Sequence, residues 1–103
     1  MAACGEKVYP EEVEEVLKTH PAIADALVVG VPSEKWGQAV IAVVHLSGDA
    51  AFDEQGVKDH VRQQLAGYKT PKAIHPTETA LRASNGKADY ATAKAIAERL
   101  TVA

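Results

Sequence analysis

The sequence predicts an α+β fold, in which three helices pack against a small, largely antiparallel three-stranded sheet. Three observations predict it. Two apolar, β-favouring stretches follow each other across one short loop, and strands joined in this way pair antiparallel. Apolar residues recur at helical spacing in three further stretches, one before these strands and two after them. At 103 residues the chain is long enough for a single modest core.

The first helix is expected to begin at Pro10, because proline suits the first turn of a helix. Glu11 and Glu12 follow, where carboxylates favour the positive end of the helix dipole. The apolar stripe of this helix comprises Val13, Val16 and Leu17. We interpret the acidic cluster of this helix as a solvated face rather than as an acid–base site. It comprises Glu11, Glu12, Glu14 and Glu15.

Residues 23–31 and 39–46 predict two buried strands, joined by the loop 32–38. A second helix follows them, with Asp53 as its expected N-cap and Gly67 as its expected C-cap. Its apolar stripe comprises Val57, Val61 and Leu65.

A short third strand is expected at residues 72–75, because Pro76 cannot join a central ladder. The last helix is expected over residues 90–100, with Asp89 as its cap. Its buried face comprises Ala93, Ile96, Ala97 and Leu100.

A tight turn is predicted at Asn85-Gly86, between the third strand and the last helix, because both residues tolerate positive φ. Lys87 leaves this turn directly before the helix, so its ammonium is expected to project into solvent. Such a lysine can bind an anion that belongs to something outside this chain. The alternative is an ordinary solvated surface lysine.

Composition argues against several classes of protein. A net charge of −3 and the lack of any Lys/Arg block argue against nucleic-acid binding. The longest apolar run, residues 39–44, is too short to span a bilayer, and no signal peptide is expected. Cys4 is the single cysteine, which rules out an internal disulfide and favours a cytoplasmic location. The sequence contains none of the common nucleotide-loop, nucleophile or CxxC motifs, and its histidines are too scattered to suggest a zinc site.

Four segments carry a further pattern. They are residues 5–14 (GEKVYPEEVE), 29–38 (VGVPSEKWGQ), 68–71 (YKTP) and 85–87 (NGK). In order and spacing they resemble the mobile C-terminal domain of acyl-adenylate-forming enzymes, over residues 5 to about 100. The first segment and the stretch NGKADY look most like bacterial fatty-acyl-CoA synthetases.

This resemblance implies that residues 5–103 form the C-terminal cap of an AMP-forming acyl-CoA synthetase. Such ligases join a carboxylate to ATP, used with magnesium, and then transfer the acyl group to coenzyme A. The cap's partner is its own N-terminal domain, which holds the ATP and acyl sites and is covered in two orientations. Residues 1–4 are expected to be a linker or foreign to the native protein, and the chain alone is expected to be inactive.

The resemblance also assigns roles to residues in the adenylating orientation. Lys87 matches the family's catalytic lysine. Carboxylate attack on the α-phosphate brings two anions together, so a positioned ammonium can bridge them. Leu81 departs from the proline often found in relatives, which removes a fixed φ and could loosen the loop.

For the thioester-forming orientation, the resemblance implies that the loop from Gly5 to Tyr9 lines the pantetheine channel. Coenzyme A phosphates are implied partners of basic residues, although solvated lysines remain the alternative. An adenine ring is the implied stacking partner of Trp36, although a partly buried core edge remains the alternative. The candidate coenzyme-binding residues are Gly5, Glu6, Lys7, Tyr9, Lys35, Trp36 and Lys69.

Two other hypotheses stay open from the sequence. One is a freestanding, non-catalytic interaction module with the same fold. The other is the cap of an aryl-CoA ligase or of a ligase that acylates a carrier protein, because nothing in this domain lines an acyl pocket.

Overall fold

A computed structural model describes residues 2–3, 6–33, 37–48, 51–65 and 67–101, and within these ranges three helices lie against a three-stranded sheet. The helices are α1 (Pro10–Lys18), α2 (Glu54–Arg62) and α3 (Tyr90–Thr101). The strands are β1 (Ala2–Ala3), β2 (Glu6–Lys7), β3 (Ile23–Ser33), β4 (Gly37–Leu46) and β5 (Ala73–Pro76). The predicted α+β fold and element order are confirmed.

The sheet has the strand order β3-β4-β5 and is mixed. β3 and β4 pair antiparallel along their length, from Ile23 opposite Leu46 to Ser33 opposite Gly37. β5 pairs parallel with β4, because the chain first returns along α2 and only then enters β5. The antiparallel pair is therefore the larger part of the sheet, and the parallel pair is its short edge.

Both faces of the sheet are buried. Successive side chains of a strand point to opposite faces, so β3 and β4 must be apolar at nearly every position. One face packs against α1 and α2, in a cluster that includes Val13, Leu17, Val28, Val40, Val57 and Val61. The other face packs against α3, in a cluster that includes Leu27, Val29, Ile41, Val43, Leu81, Ala93 and Ala97.

The helix caps agree only partly with the sequence-based expectations. Asp89 caps α3 as predicted, since its carboxylate accepts hydrogen bonds from the Thr92 backbone N–H (3.1 Å) and hydroxyl (2.7 Å). Asp53 stands at the N-cap of α2, but its side chain makes no capping hydrogen bond. The prediction for Gly67 is wrong: α2 ends at Arg62, and Gly67 begins a separate 3₁₀ turn.

Candidate functional site

A short hairpin at residues 82–88, the Lys87 hairpin, presents the predicted catalytic lysine. The Ala83 backbone N–H donates to the Lys87 carbonyl at 2.9 Å, and the Gly86 N–H donates to the Ala83 carbonyl at 2.8 Å. Gly86 has a φ of 83°, which L side chains rarely adopt. The Asn85 side-chain oxygen accepts the Lys87 N–H at 3.1 Å. The turn predicted at Asn85-Gly86 is confirmed, and it constrains the backbone on which Lys87 stands.

The Lys87 side chain is exposed, and no ion pair or hydrogen bond to its ammonium occurs within the described ranges. Several other lysines are neutralised by nearby carboxylates: Lys18 by Glu15, Lys58 by Glu54, and Lys69 by Glu12. Lys94 on α3 is exposed and without a partner in the same part of the chain. An available charge is therefore shared with Lys94, and the constrained turn is what distinguishes Lys87.

Leu81 anchors the start of the Lys87 hairpin in the core. Its side chain is only 1% exposed and belongs to the cluster beneath α3. Its carbonyl accepts the backbone N–H of Asp89 at 2.9 Å, which closes the base of the hairpin. Burial thus holds the segment at a position where proline would have fixed φ, a role that the sequence alone did not indicate.

An ion pair ties the first arm of the hairpin to the sheet. The Arg82 guanidinium donates through Nε to Oδ2 of Asp25 at 3.0 Å and through Nη2 to Oδ1 at 3.1 Å. Burial alone would raise the pKa of Asp25, but the hydrogen bonds from Arg82 and from the Ala26 backbone N–H outweigh it and lower the pKa below 3.8. The pair is therefore charged at neutral pH, and its two-point geometry fixes the direction of the arm.

Glu14 corrects the interpretation of the acidic cluster on α1. It is 6% exposed and lies among three elements rather than on a solvated face. Its Oε2 accepts the backbone N–H of Val28 on β3 at 2.9 Å. The Tyr90 hydroxyl, on the first residue of α3, lies 2.9 Å from Oε1 and 2.7 Å from Oε2. The one weak sequence signal was its position beside Val13 and three residues before Leu17, at the margin of the apolar stripe.

Burial raises the pKa of the Glu14 carboxyl above its ordinary 4.5, although the bonds from Val28 and Tyr90 and the charge of Lys18 pull it down. Burial and the neighbouring Glu14 carboxylate raise the pKa of the Tyr90 phenol in turn. At neutral pH the phenol is therefore the donor of this hydrogen bond.

Glu14→Gln is expected to remove a pH-dependent loss of stability. Since the folded chain binds the Glu14 proton more tightly than the unfolded chain, this contribution is complete below pH 4.5 and is lost as pH rises through the raised pKa. Urea unfolding between about pH 4 and about pH 8 should show the Gln variant gaining stability relative to wild type as pH rises. Glu15→Gln, at a 74% exposed side chain, is the control with the wild-type profile. A Glu14→Gln variant that also kept the wild-type profile would contradict the assignment.

The predicted coenzyme-binding residues are dispersed. Tyr9 is 54% exposed and extended, directly before α1. Lys69 lies in the 3₁₀ turn, where its Nζ is 2.6 Å from Oε1 of Glu12. A coenzyme phosphate would have to compete with that carboxylate.

The backbones of Glu6 and Lys7 form β2, which pairs antiparallel with β1, while their side chains lie outside the description. Gly5, Lys35 and Trp36 lie outside the described residues. The roles of all these residues stay predictions.

Within the described ranges, no three His, Cys, Asp or Glu side chains come together as a metal site. No helix in that part of the chain has the length and apolarity needed to cross a bilayer. An open depression of about 450 Å³ lies at the carboxyl ends of β4 and β5, and no predicted site residue lines it.

Comparison with known proteins decides the family. The family profile of the AMP-binding enzyme C-terminal domain matches residues 12–87. The chain belongs to this family. The resemblance carried by the four sequence segments is therefore confirmed, with the Lys87 hairpin at the end of the matched region.

Relatives of this AMP-binding C-terminal domain are ligases. The chain is 50% identical over 90 residues to the medium-chain acyl-CoA ligase Mig of Mycobacterium avium, which covers 87% of the chain and 16% of that ligase. A Mycobacterium tuberculosis fatty acyl CoA synthetase superimposes with a TM-score of 0.87 at 30% identity, covering 97% of the chain and 20% of that structure. The amide bond synthetase McbA of Marinactinospora thermotolerans superimposes with a TM-score of 0.85 at 30% identity, covering 91% and 19%. The chain thus spans about one sixth to one fifth of the length of these relatives.

Proposed function

We propose that this domain is the C-terminal cap of an AMP-forming fatty-acid–CoA ligase, which works with an N-terminal adenylation domain in the cytoplasm. The observation that carries the proposal is the Lys87 hairpin: a lysine without a partner among the described residues, on a constrained turn, in a chain of this family. We use the term full-length ligase for the N-terminal domain joined to this chain.

In the first half-reaction, a fatty-acid carboxylate oxygen attacks the α-phosphorus of ATP, and pyrophosphate leaves with the electrons of the broken P–O bond. The Lys87 ammonium is suited to bridge the attacking carboxylate and the α-phosphate oxygens. Its stabilisation grows as the two anions approach, so the contact lowers the barrier more than it strengthens substrate binding. Magnesium is expected to accompany ATP, and the described residues of this chain bring no ligand set together for it.

In the second half-reaction, the coenzyme A thiol loses its proton and attacks the acyl carbonyl carbon, and AMP leaves. We propose that the cap then turns its other side to the site, so that the segment from Gly5 to Tyr9 lines the pantetheine channel. The exposure and extended backbone of Tyr9 support this role. The Gly5 loop and Lys87 belong to different half-reactions, so one domain can serve both by rotating.

The main alternative is a cap for another acceptor or another acid. The likeness to an amide bond synthetase means that the fold alone does not distinguish a thiol from an amine acceptor. The higher identity to an acyl-CoA ligase favours coenzyme A. An aryl-CoA ligase, a carrier-protein ligase and a freestanding interaction module are distinguished from the proposal by activity.

We expect the 103-residue chain alone to show no ATP turnover with fatty acids and coenzyme A, and the full-length ligase to turn over. The chain on its own lacks the proposed nucleotide and acyl sites. Pyrophosphate release and acyl-CoA formation, measured with medium-chain fatty acids and with aryl acids, check both points. Turnover by the chain alone would overturn the cap proposal, and turnover of the full-length ligase on aryl acids alone would move it to that branch.

A further inference from the structure

Glu14 is a buried carboxylate without a basic partner. At 6% exposure it makes hydrogen bonds only to the Val28 N–H and the Tyr90 hydroxyl, and no ion pair reaches it among the described residues. Transferring a carboxylate out of water is unfavourable even when it is hydrogen-bonded, and a neutral side chain of similar size often serves the fold equally well. Stability alone therefore gives little reason for a glutamate at this position.

The groups that Glu14 joins belong to three elements. Val28 lies on β3, an outer strand of the sheet, so the carboxylate satisfies an N–H at a sheet edge. Tyr90 begins α3. Glu14 itself lies on α1, the helix that directly follows the proposed thioester-forming segment.

Tyr90 stands three residues after Lys87, at the exit of the hairpin. Its side chain is 38% exposed, so packing alone does not fix it, and its hydroxyl bond to Glu14 supplies the missing constraint. The entry of the hairpin has separate anchors, namely buried Leu81 and the pair between Arg82 and Asp25. The bond between Glu14 and Tyr90 thus links the exit of the hairpin to α1 and the sheet edge.

We propose that Glu14 and Tyr90 are positioning residues for Lys87: their hydrogen bond holds the exit of the Lys87 hairpin where adenylation requires the ammonium. The inference rests on the proposed function and adds two residues to it. A displacement of about 1 Å at a catalytic group can reduce a rate by about 10²-fold, so a bond of this kind can matter without contacting substrate.

Tyr90→Phe in the full-length ligase tests the proposal, because it removes only the hydroxyl and keeps the ring. The rate of adenylation, measured as pyrophosphate release, is expected to fall by about ten- to a hundredfold, in kcat rather than in the KM for ATP. Thioester formation from supplied fatty-acyl-adenylate is expected to stay within about twofold of wild type, because Lys87 does not serve that step.

Glu14 variants and a double mutant separate positioning from general weakening of the fold. Glu14→Ala is expected to lower adenylation as Tyr90→Phe does, while Glu14→Gln, which keeps an acceptor for the phenol, is expected to restore most of the rate. Glu15→Gln, on the exposed face of α1, is the matched control and should match wild type. In a Lys87→Ala background, Tyr90→Phe is expected to cause no further loss, because the residue acts through Lys87.

The outcomes distinguish this inference from the proposed function. Loss in both half-reactions by Tyr90→Phe, or an undiminished effect in the Lys87→Ala background, assigns a structural role and overturns the positioning role. A large loss with Lys87→Ala but none with Tyr90→Phe overturns the positioning role alone. No loss with Lys87→Ala overturns the proposed function, and this inference with it.

Discussion

Replacing Lys87 with alanine in the full-length ligase is expected to lower the rate of fatty-acyl-CoA formation by about 10²–10³-fold. This is the range for losing one preorganised contact to charge that develops in a transition state. The effect should appear in kcat, since the ammonium contributes most when carboxylate and α-phosphate are closest. Steady-state acyl-CoA formation with saturating ATP, fatty acid and coenzyme A measures it.

Lys94→Ala is the matched control for Lys87→Ala. Both lysines are exposed and without partners in the described part of the chain, so both substitutions remove one unpaired positive charge. Only Lys87 stands on the turn that ends in Gly86. We expect the Lys94 variant to retain nearly the wild-type rate, and equal losses in the two variants would show that the effect is one of net charge.

Leu81→Ala is expected to lower the free energy of unfolding of the 103-residue chain by about 2–5 kcal/mol. Leu81 is 1% exposed within the core cluster under α3, so the truncation removes buried apolar contacts and leaves a cavity. Domains are stable by only about 5–15 kcal/mol, so the loss is a large fraction of the total. Urea unfolding followed by circular dichroism measures it.

Ser84→Ala is the control for this stability measurement, because Ser84 is exposed in the same hairpin. Exposed substitutions of this kind change stability by about 0.5 kcal/mol or less. A Leu81 variant as stable as the Ser84 variant would mean that Leu81 does not anchor the hairpin in the core.

Features set by neighbouring residues could be predicted from the sequence. Asn85-Gly86 forms its turn, and Asp89 caps α3, because each depends on bonds that reach only a few residues along the chain. The end of α2 could not be placed in this way. After Arg62 the chain tightens through a bond from the Gln64 N–H to the Val61 carbonyl, so the helix ends well before the glycine that suggested a cap.

Features set by tertiary contacts were not predictable from the pattern. The parallel pairing of β5 depends on how α2 returns the chain, and no residue in β5 encodes it. Glu14 belongs by sequence to an acidic helix face, and only the approach of β3 and Tyr90 makes it a buried group. Lys87 was identified through resemblance, since its physical setting alone also suits an ordinary surface lysine.

The role of Lys87 is tested most directly by measuring the two half-reactions separately in the Lys87→Ala variant of the full-length ligase. Pyrophosphate release from ATP and fatty acid reports adenylation, and acyl-CoA formation from supplied fatty-acyl-adenylate reports thioester formation. We expect adenylation to fall by about 10²–10³-fold and thioester formation to stay near the wild-type rate. Equal losses in both half-reactions, or no loss in either, would contradict the assignment of Lys87 to adenylation.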